Sequence, residues 1–432
     1  MSTRSRTIIP IALASPSGAS PAPASIFPSG SAPNAIPLAL YIHVPWCVRK
    51  CPYCDFNSHV SDGAAGEIPE ATYVDALLAD LEAALPLVWG RKVGSIFIGG
   101  GTPSLLSAAA LDRLLAGVRM RLPLMADAEI TLEANPGTVE AEKFRGFRAA
   151  GVTRLSLGIQ SFNAVQLKAL GRIHDGDEAR RAAELARQTF DTFNLDLMYG
   201  LPGQTVAEAL ADVDTALSFA PTHLSCYQLT LEPNTPFYAA PPELPESDLC
   251  ADMQDAIEAR LASAGFEHYE TSAFARPGHR CRHNLNYWTF GDYLGIGAGA
   301  HGKITLHDRI LRQMKHKSPR AYLNAAQQYA ESGVAENFLQ VGHEVAAKEL
   351  PFEFMMNALR LLDGVATPLL AERCRLERAI LDHTFAIVDQ ARRDGWLVAD
   401  PTRLAPSEHG RRFLNPLLQR FLDENDDDAA SS

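Results

Sequence analysis

Between residues 38 and 230, six short runs of β-branched, leucine and aromatic residues alternate with stretches of helical periodicity. The runs are LALYIHV (38–44), VGSIFIG (93–99), AEITLEA (128–134), TRLSLGIQ (153–160), FNLDLMYG (193–200) and HLSCYQLT (223–230). Between them, segments such as EATYVDALLADLEAALPLV (70–88) and TVAEALADVDTALSFA (205–220) repeat apolar residues at helical spacing, several behind a capping Ser or Thr. Such alternation demands parallel strands joined by right-handed crossovers. Six units predict an α/β fold, an open or incomplete (β/α)6 TIM-like barrel. Chemistry in such barrels collects at the carboxyl ends of the strands. The polar and glycine signals fall there: PWCVRKCPYC after the first run, GGGTPS after the second, Glu133 and Asn135 at the third. Gln160 ends the fourth, Asp196 lies in the fifth before GLPGQT, and Gln228 and Glu232 follow the sixth.

The chain has 432 residues, enough for two domains with substantial cores. A barrel with its adjoining polar aromatic segment is expected over 36–305. A small, mainly helical, winged-helix-like domain is expected over 306–422. Residues 1–35, which contain Arg4 and Arg6 but no acid, read as a disordered Ser/Pro/Ala tail, with a signal or transit peptide as the alternatives. Residues 423–432 read as a solvated acidic tail. The net charge of −12 argues against a nucleic-acid surface. No apolar run is long enough to span a bilayer, which leaves peripheral membrane association open. Seven cysteines, three of them clustered, fit a reducing compartment, and a cytoplasmic location is expected.

The clustered cysteines are Cys47, Cys51 and Cys54, in CVRKCPYCDF. Thiolates bind zinc or iron–sulfur clusters. Structural zinc needs four ligands and usually paired CxxC knuckles, and only Cys51 and Cys54 have that spacing. Three thiolates on a four-iron cluster leave one iron open to a small molecule. Zinc is the weaker alternative, and three core thiols in a loop beside Arg49, Lys50 and Pro52 make a poor third. GAGAHG (297–302) matches a dinucleotide fingerprint but precedes KITLHD rather than a helix, so it is set aside. His43 follows the strand alternation and is expected in the core or behind the site.

CxxxCxxC after the first strand, with GGGTPS one unit later, resembles the radical S-adenosylmethionine (SAM) superfamily over about residues 36–305. Within it the chain is similar to the oxygen-independent coproporphyrinogen III oxidase group, HemN and its relative HemW. The resemblance implies a [4Fe-4S] cluster on the three cysteines, with SAM chelated at the open iron. It assigns Tyr41, Gly100 and Glu133 to a SAM site and Tyr53 beside SAM at the cluster. Gly101, Thr102, Gln160, Arg172 and Asp196 match positions that in HemN contact a second SAM. HemN carries a further cysteine two residues after the third, where this chain has Phe56. CxxxCxxCxF resembles the HemW branch, regarded as heme chaperones rather than porphyrinogen oxidases. HNLNYW (283–288) fits the same branch, whose HNxxYW element has been linked to heme. His283 is the candidate heme ligand, Cys281 its alternative and His301 a lesser one, while Tyr287 and Trp288 offer flat faces to a porphyrin. The implied partners are heme and apo-hemoprotein clients such as respiratory enzymes. Oligomeric state is not specified.

Overall fold

Strand β1 (Leu38–Val44) is buried along almost its whole length, as a central strand covered on both faces must be. Its neighbours follow in the expected order: β2 (Val93–Gly100), β3 (Leu124–Ala134), β4 (Arg154–Gln160), β5 (Thr192–Tyr199) and β6 (His223–Gln228), each parallel to the last. The structure, a computed structural model, describes residues 36–61, 67–138 and 141–422. Both expected tails, 1–35 and 423–432, lie outside the described residues.

The crossover helices are α1 (Glu70–Ala84), α2 (Ala108–Arg121), α3 (Ala141–Ala150), α4 (Gly176–Thr189) and α5 (Val206–Ser218). Their starts are chemically marked. Ser107 caps α2, and Asp175 with Glu178 and Thr205 with Glu208 form capping boxes on α4 and α5. Leu77, Leu81, Leu111, Leu114 and Leu115 from α1 and α2 are fully buried in one core with Ile96 and Ile98 of β2. Each such side chain contributes about 1.5–3 kcal/mol on burial.

The sheet is larger than the six expected units. Among the described residues it has twelve strands. Beyond β6, α6 (Ser247–Ser263) leads to a hairpin, β7 (Glu267–Glu270) and β8 (Ala273–Ala275), with β8 antiparallel to β6. Next comes α7 (Arg282–Trp288). After it, β9 (Asp292–Ile296) lies parallel to β1 on its other side. Strands β10 (His301–Thr305), β11 (Ile310–Lys315) and β12 (Leu339–Glu344) extend that edge in antiparallel fashion. Phe97 of β2 and His223 of β6 line one cavity, so the parallel part curls into an open barrel.

The expected boundary at 306 therefore falls inside a β-hairpin rather than between cores. Residues 319–332 form α8 (Pro319–Ser332), whose Tyr322 reaches back to Asp80 of α1 at 2.8 Å. A second core gathers α9 (Leu350–Ala358) and α10 (Arg378–Arg393) with Tyr269, Phe290 and Trp288. Its two-residue strands Val365–Ala366 and Arg403–Leu404 pair antiparallel, a minimal wing on a helical body. Among the described residues no helix is long and apolar enough to cross a membrane.

The barrel's added edge hangs on Asp292. This fully buried carboxylate accepts from Arg91 Nη1 (2.7 Å), Lys303 Nζ (2.9 Å), the Thr305 amide (3.0 Å) and the Thr305 hydroxyl (2.8 Å). Burial pushes its carboxyl up, but Lys303 and Arg91 outweigh that and hold it below the usual carboxylate range. Asp292→Ala leaves two buried cations without their anion. The variant is expected to lose about 3–5 kcal/mol in urea unfolding.

Candidate functional site

The loop after β1 carries the three cysteines and is closed on itself. Trp46–Cys47 pairs in parallel with His59–Val60, and the Cys54 amide donates to the Cys51 carbonyl at 3.2 Å. His43 holds the loop from below, its Nε2 lying 2.8 Å from the Asn57 carbonyl and its Nδ1 2.9 Å from the Tyr41 hydroxyl. Burial keeps this imidazole neutral, down to about 4. That fits one tautomer, with Tyr41 donating to Nδ1 and Nε2–H donating to Asn57. Asn57 in turn donates to the carbonyls of Ala298 and Lys317, both at 2.9 Å, tying the loop to the β9–β10 edge.

All three cysteines are free thiols, half-buried, and line one pocket with Tyr53, Gly100, Gly101, Thr102, Glu133, Gln160, Arg172 and Asp196. Burial pushes the Cys47 and Cys54 thiols up. Thr102 Oγ1 donates to Cys47 Sγ at 3.4 Å, and Arg172 Nη1 approaches Cys51 Sγ at 3.5 Å. Arg172 is fixed by donation to Asn135 Oδ1 (2.6 Å) and the Gly158 carbonyl (2.8 Å). Among the described residues no three His, Cys, Asp or Glu side chains converge on a single-ion position. Three thiols on one loop lining one pocket are donors of the kind a polynuclear cluster takes.

Two glycines let the second loop meet the first. Gly100 has φ +114°, and a Cβ there would lie 2.6 Å from the His43 ring. A Cβ on Gly101 would lie 2.5 Å from the Trp46 carbonyl oxygen. The Gly101 amide donates to Val44 (2.8 Å) and the Thr102 amide to Trp46 (2.7 Å). Opposite, Gln160 ends β4 with φ +68°, an uncommon geometry for a non-glycine residue and one that collects at functional sites. Asp196 accepts from Asn194 Nδ2 (2.7 Å) and the Ser156 hydroxyl (3.3 Å), and burial pushes its carboxyl up.

Most of the expected SAM residues thus share the cysteine pocket. Tyr41 is the exception: it lines an adjoining groove of about 600 Å3 with Gly100, Glu133, Tyr287, Tyr293 and His301, and its hydroxyl is engaged by His43. The heme candidates are separated. His283 is 2% exposed, stacked on Phe97 at 4.9 Å. Its ring nitrogens lie 3.3 Å from Ser95 Oγ and 3.1 Å from the Tyr287 hydroxyl. Burial, with Arg154 nearby, holds it neutral, down to about 3. Cys281 lines the barrel cavity, its buried thiol 3.6 Å from Glu129 Oε1 and pushed up to about 12. Trp288 does not offer a free face, because it packs into the second core with Arg360 over its ring at 4.5 Å. Of the histidines here His301 is exposed, at the groove's edge. Sequence reasoning missed Asn57, Ser58, Ser156 and Arg154, isolated polar residues whose role depends on what the barrel brings beside them.

The parallel barrel with this cysteine loop is a radical SAM fold. Residues 41–216 match the radical SAM superfamily and residues 345–413 the HemN C-terminal domain. The solved structure of coproporphyrinogen III oxidase (HemN) from Escherichia coli superposes with a TM-score of 0.74 at 26% identity, covering 90% of this chain and 91% of that one. Heme chaperone HemW of Escherichia coli is 50% identical over 391 residues, 90% of this chain and 99% of that protein. Heme chaperone HemW of Haemophilus influenzae is 46% identical, covering 91% and 100%. The chain belongs to the HemW family.

Glu133 carries a pH signature. Burial and the Asp196 carboxylate raise it from an ordinary 4.5 to about 8, although the Gly100 amide donates to it at 3.1 Å. A raised carboxyl contributes stability fully present below the unfolded value and lost as pH rises through the folded one. In thermal melts of cluster-free protein, Glu133→Gln should match wild type near about pH 4, exceed it increasingly up to about pH 8, and gain nothing further above that.

Proposed function

We propose that this chain is a heme chaperone that carries a [4Fe-4S] cluster and SAM and passes heme to apo-hemoproteins, respiratory enzymes among them. The observation that carries the reading is the cysteine loop. Three thiols line a pocket walled by glycine backbone, Glu133, Gln160 and Asp196, while Phe56, in the slot of a fourth cysteine, is 61% exposed. Cys47, Cys51 and Cys54 would hold the cluster, which supplies an open iron for the amino and carboxylate groups of SAM and a centre for electron transfer. Gly100 and Gly101 let a ligand approach main chain, and Glu133 suits ribose hydroxyls. Asp196 and Gln160 face the same space, and Arg172 sets a fixed positive charge beside Cys51. Gly101 and Thr102 anchor this wall against the cysteine loop. Tyr53 lies against Arg172 at 3.5 Å, at the cluster edge.

Heme, as cargo, fits the adjoining groove best. Tyr287 of HNLNYW and Tyr293 face it, their rings 4.5 Å apart, and His301 opens onto it. His283 and Cys281 would first have to surrender their buried contacts. Heme titration of wild type, His283→Ala, Cys281→Ala and His301→Ala tests this. His301→Ala is expected to shift or weaken the Soret band most. An undisturbed band there, with loss in His283→Ala, moves the ligand to α7.

The second reading is a radical oxidase acting on coproporphyrinogen III, favoured by the HemN-like architecture. Reconstituted protein incubated with SAM, a reductant and coproporphyrinogen III is expected to form no appreciable protoporphyrinogen. Turnover to that product would sink the chaperone-only reading.

A further inference from the structure

Beneath the cysteine loop the barrel encloses a second cavity of about 430 Å3, joined to the cysteine pocket at Glu133, Ser156, Gln160 and Asp196. Arg154 of β4 lines it, 3% exposed. Among the described residues its guanidinium has no hydrogen-bond or ion-pair partner, and its Nε is a fully buried donor left unsatisfied. Glu129 and Asp196 act on it through space without hydrogen-bonding it, arginine does not escape the cost by losing its proton, and a buried charged donor left unsatisfied is expensive for a fold to keep.

The nearby carboxyl groups are directed elsewhere. Glu129 Oε1 accepts the amides of Arg282 (3.0 Å) and His283 (3.3 Å) at the start of α7. Asp196 is held by Asn194 and Ser156, and Glu133 by the Gly100 amide. His223 is engaged at both nitrogens, Nδ1 2.7 Å from Asn194 Oδ1 and Nε2 2.9 Å from the Tyr269 hydroxyl. Among the described residues lining this cavity, the guanidinium is a strong donor with no hydrogen-bond acceptor to serve. Phe97, Met198 and Leu229 supply an apolar wall across the cavity.

We propose that Arg154 anchors a second ligand site in the barrel, one that takes the carboxylate of a small organic molecule with its hydrocarbon or ring body against Phe97, Met198 and Leu229. The site favours a single negative charge. Asp55, Glu133, Asp196 and Glu232 share the lining, so one carboxylate balances Arg154 whereas a dianionic phosphate adds uncompensated charge. A planar guanidinium and a carboxylate also match as a two-pronged pair. The site does not rest on heme carriage: Arg154, Met198 and Leu229 lie outside the outer groove, although Asp55, Phe97 and Glu133 line both.

Benzoate, benzamide and phenyl phosphate, titrated calorimetrically against the full-length reconstituted protein, separate charge from shape. Benzoate is expected to bind at least about tenfold tighter than its neutral isostere benzamide, and tighter than phenyl phosphate. In Arg154→Gln that preference disappears while benzamide is unchanged, and Arg154→Lys retains part of it. Should Arg154→Gln fail to fold, Ser225→Val, which narrows the same cavity without removing a charge, is expected to weaken both benzoate and benzamide. Equal binding of benzoate and benzamide to wild type, or no binding of either, overturns the proposal. So does a benzoate preference that persists in folded Arg154→Gln or that Ser225→Val leaves untouched. A heme titration on the same preparation reads the chaperone function separately.

Discussion

The active face depends on a seam of backbone against backbone. The Gly101 and Thr102 amides donate to the Val44 and Trp46 carbonyls, drawing the loop after β2 under the loop that carries the cysteines. No side chain fits between them, since a Cβ at Gly101 would sit within 2.5 Å of the Trp46 oxygen. Through that seam the position of Cys47 is tied to β2, and the Thr102 hydroxyl reaches its sulfur. His43, Asn57 and the β9–β10 edge secure the loop's other side.

Electrostatically the barrel interior is prepared for cations above and an anion below. Glu133 and Asp196 face the cysteine pocket with carboxyls raised by burial, so they are costly to ionise until positive charge arrives. Arg154 presents the opposite case, a permanent cation with carboxyl groups near it but, among the described residues, none hydrogen-bonded to it. Both arise from lining a parallel barrel with polar residues that water cannot fully reach. An interior of this kind is costly as a core and useful as a ligand chamber.

Much of this was legible in the sequence. The six alternating runs all became parallel strands in the expected order, because their apolar content and the caps at Ser107, Asp175 and Thr205 agree with one geometry. The seventh parallel strand, β9, escaped because DYLGI is short and glycine-containing and has no helix leading directly from its parallel neighbour β1. Its place is secured by Asp292, whose cation partners lie 201 residues upstream and 11 downstream. The same non-local pairing hid the true extent of the sheet past residue 306. In HNLNYW the composition suggested an open aromatic platform. Packing turned His283 inward onto Phe97 and gave Trp288 to the second core, leaving Tyr287 facing the groove.

By itself, the sequence determined the parallel barrel, the face on which its chemistry collects, the three-thiol motif with Phe56 in place of a fourth cysteine, and through these the family. Those properties are local, written in periodicity, spacing and residue type. Only the tertiary structure decided which imidazole opens to a groove, which is sealed, and which buried charge, among the described residues, is left without a hydrogen-bonded partner. Such outcomes depend on contacts between residues distant in the chain, such as Ser95 with His283 and Arg282 with Glu129. They exist only once the sheet has curled and α7 has closed its floor.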